Sequence, residues 1–429
     1  MKYDPIENLL FKKNRIKFLA KMDSNSIAVF NSNDNYPVSA DTTLPFEQHR
    51  DLFYLTGVNQ EKTVLILATT GSEVNEFLFI TKPNETMMHW EGKKLNHESA
   101  YEISGINNVF WVDDLEMKVD ELMLSATTIY VNNNEHYRAK VETETREERF
   151  NKWIKNKYSK KIFKKSNPIL QRLRAVKEQI EIDLIKKACS ITEKGFRRIL
   201  KFVKPGVWEY EIEAEFSHEF LVNRSRKFAY SPIIASGNNS NVLHYIDNNQ
   251  QCKKGDLLLL DVGAEYANYS SDMTRTIPVS GKFNKRQKDV YNSVLNVKNE
   301  ATKLLTPGIF WKEHHKEVGK IMTSELLKLG LLDKYDIQNQ TKNNPAFKKY
   351  FTHGTSHHLG LDTHDYGDIN HPIEKNNVFT VEPGIYIPEE GFGIRLEDDV
   401  VVTEDSSPIN LMKDIPIEIE EIEYLMNLK

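Results

Sequence analysis

Apolar and polar positions follow two different spacings along this chain of 429 residues. In its first third, short apolar runs bounded by turn-formers read as strands. They are Ser26-Ile27-Ala28-Val29-Phe30, Leu52-Phe53-Tyr54-Leu55, Val64-Leu65-Ile66-Leu67-Ala68, Glu76-Phe77-Leu78-Phe79-Ile80 and Thr128-Ile129-Tyr130-Val131. Around them the spacing becomes helical. Residues 8–22 carry Leu9, Leu10, Ile16, Phe18, Leu19 and Met22 on one side, and further helical stretches lie around 96–104 and 115–125. Strands alternating with helices predict an α/β domain. From Asn151 to Lys165, lysines alternate with Trp153, Ile154, Tyr158, Ile162 and Phe163. That mixture reads as a solvated helix face over packed apolar residues, not as a polyanion site. Ser166-Asn167-Pro168 breaks this helix, which places a domain boundary between residues 167 and 168.

The second domain, 168–429, opens at Arg172-Leu173-Arg174-Ala175-Val176-Lys177. A long helix follows, with Ile180, Leu184, Ile191 and Ile199 inward, ending near Pro205-Gly206. Further helices are expected over 209–223, 285–305 and 311–329. Two hairpins then stand out. The first runs from Gly255 through Leu257-Leu258-Leu259-Leu260-Asp261 and returns through Ser271-Asp272-Met273-Thr274-Arg275. The second runs from Val378 through Glu382 to Ile387, turns over Pro388 to Gly391 and returns through Arg395 and Glu397. That turn sets Glu382 opposite Glu397, on one face with Cβ atoms ~4.5–5.5 Å apart. A turn centred on Tyr266-Ala267 does the same for Asp261 and Asp272, although Tyr-Ala is a poor two-residue turn.

Four carboxylates facing one another on apolar strands cannot all stay ionised without a cation among them. A further ligand is offered by Thr352-His353-Gly354-Thr355-Ser356-His357-His358, followed by His364. His353 and His357 have the spacing of a helical zinc motif. Gly, Thr and Ser between them make poor helix, and no Glu follows His353, so a loop or strand is expected. One of these histidines suffices as a ligand, leaving the others for protons or substrate.

The order Asp261, Asp272, His357, Glu382, Glu397 resembles the two-metal site of the pita-bread metallopeptidases. The local words Leu-Asp-Val-Gly-Ala-Glu-Tyr, Ser-Asp-Met-Thr-Arg-Thr, His-Gly-Thr-Ser-His, Thr-Val-Glu-Pro-Gly and Gly-Ile-Arg-Leu-Glu-Asp are most similar to aminopeptidase P. So are Ser39-Ala40-Asp41, Pro45 to Gly57 and Trp90-Glu91-Gly92-Lys93-Lys94-Leu95 in the first domain.

The resemblance implies an α/β N-terminal domain, which builds oligomer contacts, followed by an α+β pita-bread catalytic domain with a curved antiparallel sheet. It implies an Xaa-Pro aminopeptidase, releasing the N-terminal residue from peptides with proline second. Two divalent ions are implied, with Asp272 and Glu397 shared between them, Asp261 completing one, and His357 and Glu382 the other. The hard, oxygen-rich donor set favours Mn²⁺. Glu382 is the implied general base, and His364 or His353 the group serving the departing proline nitrogen. His244, Arg395 and Tyr386 are implied on the substrate. Asp41 and Trp90 are candidates of the same kind, lent to a neighbouring copy's site in a homodimer or homotetramer. One departure is visible: the family commonly has Leu and Trp where this chain has Thr355 and His358. It bears on pocket shape, not on the ligand set.

Composition narrows the remaining choices. With 39% hydrophobic residues, 28% charged residues and a net charge of −5, the chain fits a globular protein and gives no reason for nucleic acid or an anionic membrane as partner. Cys189 and Cys252, far apart, make neither a disulfide framework nor a thiolate metal site. The opening Met1-Lys2-Tyr3-Asp4-Pro5 lacks a signal peptide's apolar core, and no run reaches the ~20 apolar residues of a membrane span. A cytoplasmic location is expected. The nearest rival reading is a prolidase restricted to Xaa-Pro dipeptides; a metal-free pita-bread binding protein is disfavoured because all five ligand types are present.

Overall fold

The computed structural model describes residues 3–71, 73–341, 343–404 and 407–428, so Met1 and Lys2 of the opening stretch lie outside the described residues. The chain divides into two compact units, Pro5–Leu173 and Arg174–Lys429 with Met1–Asp4. The helix Asn167–Ala175 spans the division.

The first unit is built on a sheet of six strands among the described residues. Their order is Asn108–Trp111, Glu73–Ile80, Val64–Thr70, Ser26–Asn31, Thr128–Val131, Ile162–Lys165. The central pairs are antiparallel and the flanking ones parallel. Ile27, Val29, Ile66, Phe79 and Ile129 share a core with Val119 and Ile154 of the helices Leu115–Leu122 and Arg146–Lys157.

Three expectations fail here for physical reasons. Leu52-Phe53-Tyr54-Leu55 is not a strand but the middle of the helix Arg50–Thr56, ended by Gly57 in the left-handed conformation (φ 70°). Every one of those four side chains is buried, so no polar position reveals the period. In the helix Asn8–Leu19, Leu9 and Ile16 are exposed, while Asn14 and Arg15 are buried beside Leu10, Phe11, Phe18 and Leu19. The polar pair has a use: Asn14 donates to Tyr54 O, and Arg15 Nη1 donates to Leu55 O and Ser104 O. These are carbonyls in the last turns of two neighbouring helices, groups that lack intrahelical partners. The lysine-rich segment is helical only to Lys157; Ile162–Lys165 is an edge strand. Its lysines pair with nearby acids, Lys152 with Glu144, Lys157 with Asp120 and Lys164 with Asp23. Lysines on an edge strand also discourage pairing with another chain.

In the second unit, Leu257–Val262 lies between Ile233–Ser236 and Met273–Pro278, antiparallel to both. The hairpin turns at Ala267-Asn268, both left-handed (φ 53° and 68°), because Glu265 pairs with Ser270 and Tyr266 with Tyr269. Asp261 therefore pairs with Thr274, not with Asp272 as expected. A two-residue turn with positive φ at both positions suits hairpin twist, and asparagine tolerates it better than tyrosine. Moving the turn by one residue moves each pairing by two. An even slip leaves every side chain on its original face, so Asp261 and Asp272 still share one.

The second hairpin is two short ladders in a single register. Val378–Val381 pairs with Asp398–Val401, and Gly384–Ile387 with Phe392–Arg395, closing over Pro388–Glu390 with Gly391 at φ 74°. The register sets Glu382 across from Glu397, at the point where Pro383, lacking an N–H, interrupts the pairing. There the backbone bonds elsewhere: Glu382 N donates to Thr355 O (2.8 Å) and Glu397 N to Thr274 O (3.0 Å). The second bond, with Arg395 N to Thr276 Oγ1 (3.3 Å), joins the hairpins side by side. The helices Gln179–Phe202, Glu209–Val222, Lys285–Lys303 and Trp311–Lys328 follow the expected spans.

Candidate active site

Where the hairpins meet, Asp272, His357 and Glu397 each present one ligand atom, all within 4.8 Å of one another. His353 to His357 is irregular, so the histidines are not on a helix. His357 Nδ1 donates to His358 O (3.0 Å). That fixes the tautomer and turns the Nε2 lone pair toward Asp272 Oδ2 (3.4 Å) and Glu382 Oε1 (3.6 Å). Asp261 joins from the other side, since Tyr230 Oη contacts both Asp261 Oδ1 and Asp272 Oδ1. Burial, and then the neighbouring Asp261, pushes the Asp272 carboxyl well up. Burial and the facing acids do the same to Glu397, and burial lifts Glu382 to about 7. The site thus concentrates buried acid around one imidazole whose free nitrogen faces it. Oxygen-rich sets of this kind suit a divalent cation, which would relieve the repulsion.

Beside this group runs a polar chain. Arg395 Nη2 donates to Asp261 Oδ2 (2.5 Å) and Nη1 to Tyr386 Oη (2.8 Å). His353 Nδ1 donates to Gly354 O (2.8 Å), so its Nε2 accepts from Tyr386 Oη (2.7 Å). Burial, and then Arg395, holds His353 down at about 3, so it is neutral. His364 packs edge-on against His357, ring centroids 4.4 Å apart, with its own side chain exposed. His244 is exposed, near enough for its charge to lower His353 further. Its loop is tied down by Glu209, which accepts from Tyr245 Oη (2.7 Å) and Gln250 N (2.9 Å). Asp41 and Trp90 belong to the first unit, Asp41 in an exposed turn and Trp90 on the helix Glu85–Glu91, 80% exposed.

Several residues of the site were not foreseen. Tyr230 gives no signal in Phe228-Ala229-Tyr230-Ser231-Pro232. Thr274 Oγ1 donates to Glu397 Oε2 (2.6 Å) and accepts from Arg395 Nε (3.2 Å). Asp399 Oδ2 accepts from Asp272 N (3.0 Å); its strand alternation with Glu397 was a usable clue. Thr355, one of the two departures, bonds His315 Nδ1 through its hydroxyl (3.1 Å). His358, the other, packs in an aromatic cluster with Phe379 and Trp311, ring centroids 4.4 and 6.4 Å away.

Residues 183–404 match the model of metallopeptidase family M24, and residues 11–130 that of the aminopeptidase P N-terminal domain. The chain belongs to metallopeptidase family M24. It is similar to Xaa-Pro aminopeptidase of Escherichia coli K12, 34% identical with 97% of each chain covered. It is also similar to human Xaa-Pro aminopeptidase 3, 30% identical over 92% of this chain and 79% of that one. Zinc-substituted E. coli aminopeptidase P in complex with product superposes at TM-score 0.89, with 31% identity and 99% of both chains covered. This M24 chain is accordingly a metallo-aminopeptidase: an α/β N-terminal domain followed by a pita-bread catalytic domain. No helix among the described residues is long and apolar enough to cross a membrane.

Proposed function

We propose that this M24 enzyme is an Xaa-Pro aminopeptidase, removing the N-terminal residue from peptides whose second residue is proline. The observation that carries the reading is the convergence of Asp272, His357 and Glu397 within 4.8 Å, flanked by Asp261 and Glu382. Asp261, Asp272, His357, Glu382 and Glu397 would hold two divalent ions, with Mn²⁺ the best match to the donors. Bound there, such ions polarise the scissile carbonyl and make water a better nucleophile at neutral pH.

The chain's own groups supply the rest. Glu382 takes the proton of the attacking water. The proline nitrogen, a tertiary amide, departs only once protonated, and His364 or His353 delivers or relays that proton. Arg395, held by Asp261 and Tyr386, steadies the substrate backbone, with His244 at its margin. In this reading residues 1–167 supply the contacts of a homodimer or homotetramer, in which Asp41 and Trp90 touch the substrate of another copy. Residues 168–429 are catalytic, and the enzyme works in the cytoplasm.

The test is a peptide panel with and without chelator. Cleavage of Xaa-Pro-Ala, lost on chelation and restored by Mn²⁺, is expected. Cleavage of Xaa-Pro dipeptides with no activity on Xaa-Pro-Ala would replace the reading with a prolidase.

A further inference from the structure

The segment from Leu359 to Gly367, which carries His364, has no helix or strand of its own. Its shape is therefore set by whatever it is tied to. The ties converge on Asp365, a buried carboxylate. Arg174 Nη2 donates to Asp365 Oδ1, Lys177 Nζ to Asp365 Oδ2 (2.9 Å), and Tyr366 N to Oδ1 (2.8 Å). Asp365 N donates to His358 O (2.9 Å), the same carbonyl that receives His357 Nδ1. Arg174 and Lys177 are themselves buried, and Lys177 Nζ also donates to Arg174 O (2.6 Å). Arg174 Nη2 reaches Asp362 as well (2.7 Å), and its guanidinium lies 4.6 Å from the Tyr366 ring centroid. Gly360 leaves the room this needs, because a Cβ there would lie 2.1 Å from Asp365 Oδ2.

Burying three charges is costly, and a surface loop does not require it. What the arrangement achieves is a fixed backbone on both sides of His364, whose ring stands 4.4 Å from that of His357. We propose that Asp365, gripped by Arg174 and Lys177, is a positioning residue that aims His364 at the departing proline nitrogen. The inference rests on the reading that His364 serves that proton. The sequence Arg174-Ala175-Val176-Lys177, which opens the catalytic part of the chain, thereby has a purpose: two cations three residues apart, one in the last turn of the helix Asn167–Ala175 and one just beyond it, grip one carboxylate.

A double-mutant cycle on the metal-loaded enzyme tests this, with kcat and KM measured on an Xaa-Pro-Ala peptide and metal content and melting temperature followed in parallel. Asp365→Asn and Lys177→Met are each expected to lower kcat about tenfold or more, with KM changed less than about twofold and metal content kept. In a His364→Ala background neither should lower it further. Lys177→Arg should recover most of the loss. Asp365→Asn leaves two buried cations under-compensated, so Lys177→Met, which keeps the Arg174–Asp365 pair, carries the test if the asparagine variant does not fold. An active, unimpaired His364→Ala enzyme would remove the His364 assignment, and the clamp with it. Should His364→Ala be impaired while Lys177→Met costs the same factor with or without His364, or nothing at all, the clamp alone is overturned.

Discussion

Tyr230 holds one hydroxyl proton between two carboxylates, Asp261 and Asp272. Groups that orient metal-binding carboxylates are worth about 10–100-fold in metal affinity. Tyr230→Phe should therefore raise the Mn²⁺ concentration needed for half-maximal activity by about that factor, read by titrating metal-stripped enzyme. An unchanged titration would show that Tyr230 only fills space.

A second residue makes a pH prediction in the other unit. Glu147 is buried and accepts from Asn31 N and Asn31 Nδ2, yet burial pushes its carboxyl up to about 8 from an unfolded value of 4.5. Between those values the unfolded chain gives up a proton that the folded one keeps. The contribution of Glu147 to stability is therefore full below about pH 4.5, falls as pH rises through the window, and is gone above about 8. The loss is on the order of a few kcal/mol at most. From pH 5 to pH 8 the melting temperature of the wild type should drop relative to that of Glu147→Gln, which lacks this titration.

Among the elements, the first hairpin is the most demanding. Gly263 sits between Val262 and Ala264 where a Cβ would come within 1.8 Å of Ser271 O, a backbone atom that cannot step aside. Gly263→Ala should cost about 1–3 kcal/mol in a urea melt and weaken metal binding, because the strain lies between Asp261 and Asp272. A variant with wild-type stability and metal affinity would contradict the close approach. This hairpin also shows what the sequence discloses and what it hides. Leu257 to Leu260 declares a buried strand, and alternation tells which acids share a face. The exact pairing depends on which two residues take positive φ, and here Ala267-Asn268 displaced the expected turn. The second hairpin was legible in full because Pro388 and Gly391 bracket its turn. Leu52 to Leu55 was not, since a short run buried on every side carries no period.

For the molecule as a whole, the five acid and imidazole groups come from three separate stretches, the two hairpins and the loop holding His357, and their order along the chain was enough to single them out. Their partners were harder to see. Tyr230, Thr274 and Asp365 are ordinary residues in ordinary surroundings until the fold brings Asp261, Glu397 and Arg174 to them. Local spacing records which faces are buried; long-range hydrogen bonds leave no mark in it. The central claim, that these groups form a cage needing divalent cations, has a direct test. Enzyme stripped by chelator is titrated with Mn²⁺ while bound metal and Xaa-Pro-Ala hydrolysis are measured together, alongside Asp272→Asn and Glu397→Gln. Activity returning in step with bound metal, with both variants failing to bind it, is the predicted result. Full activity in the stripped enzyme, or undiminished metal binding by both variants, would contradict it.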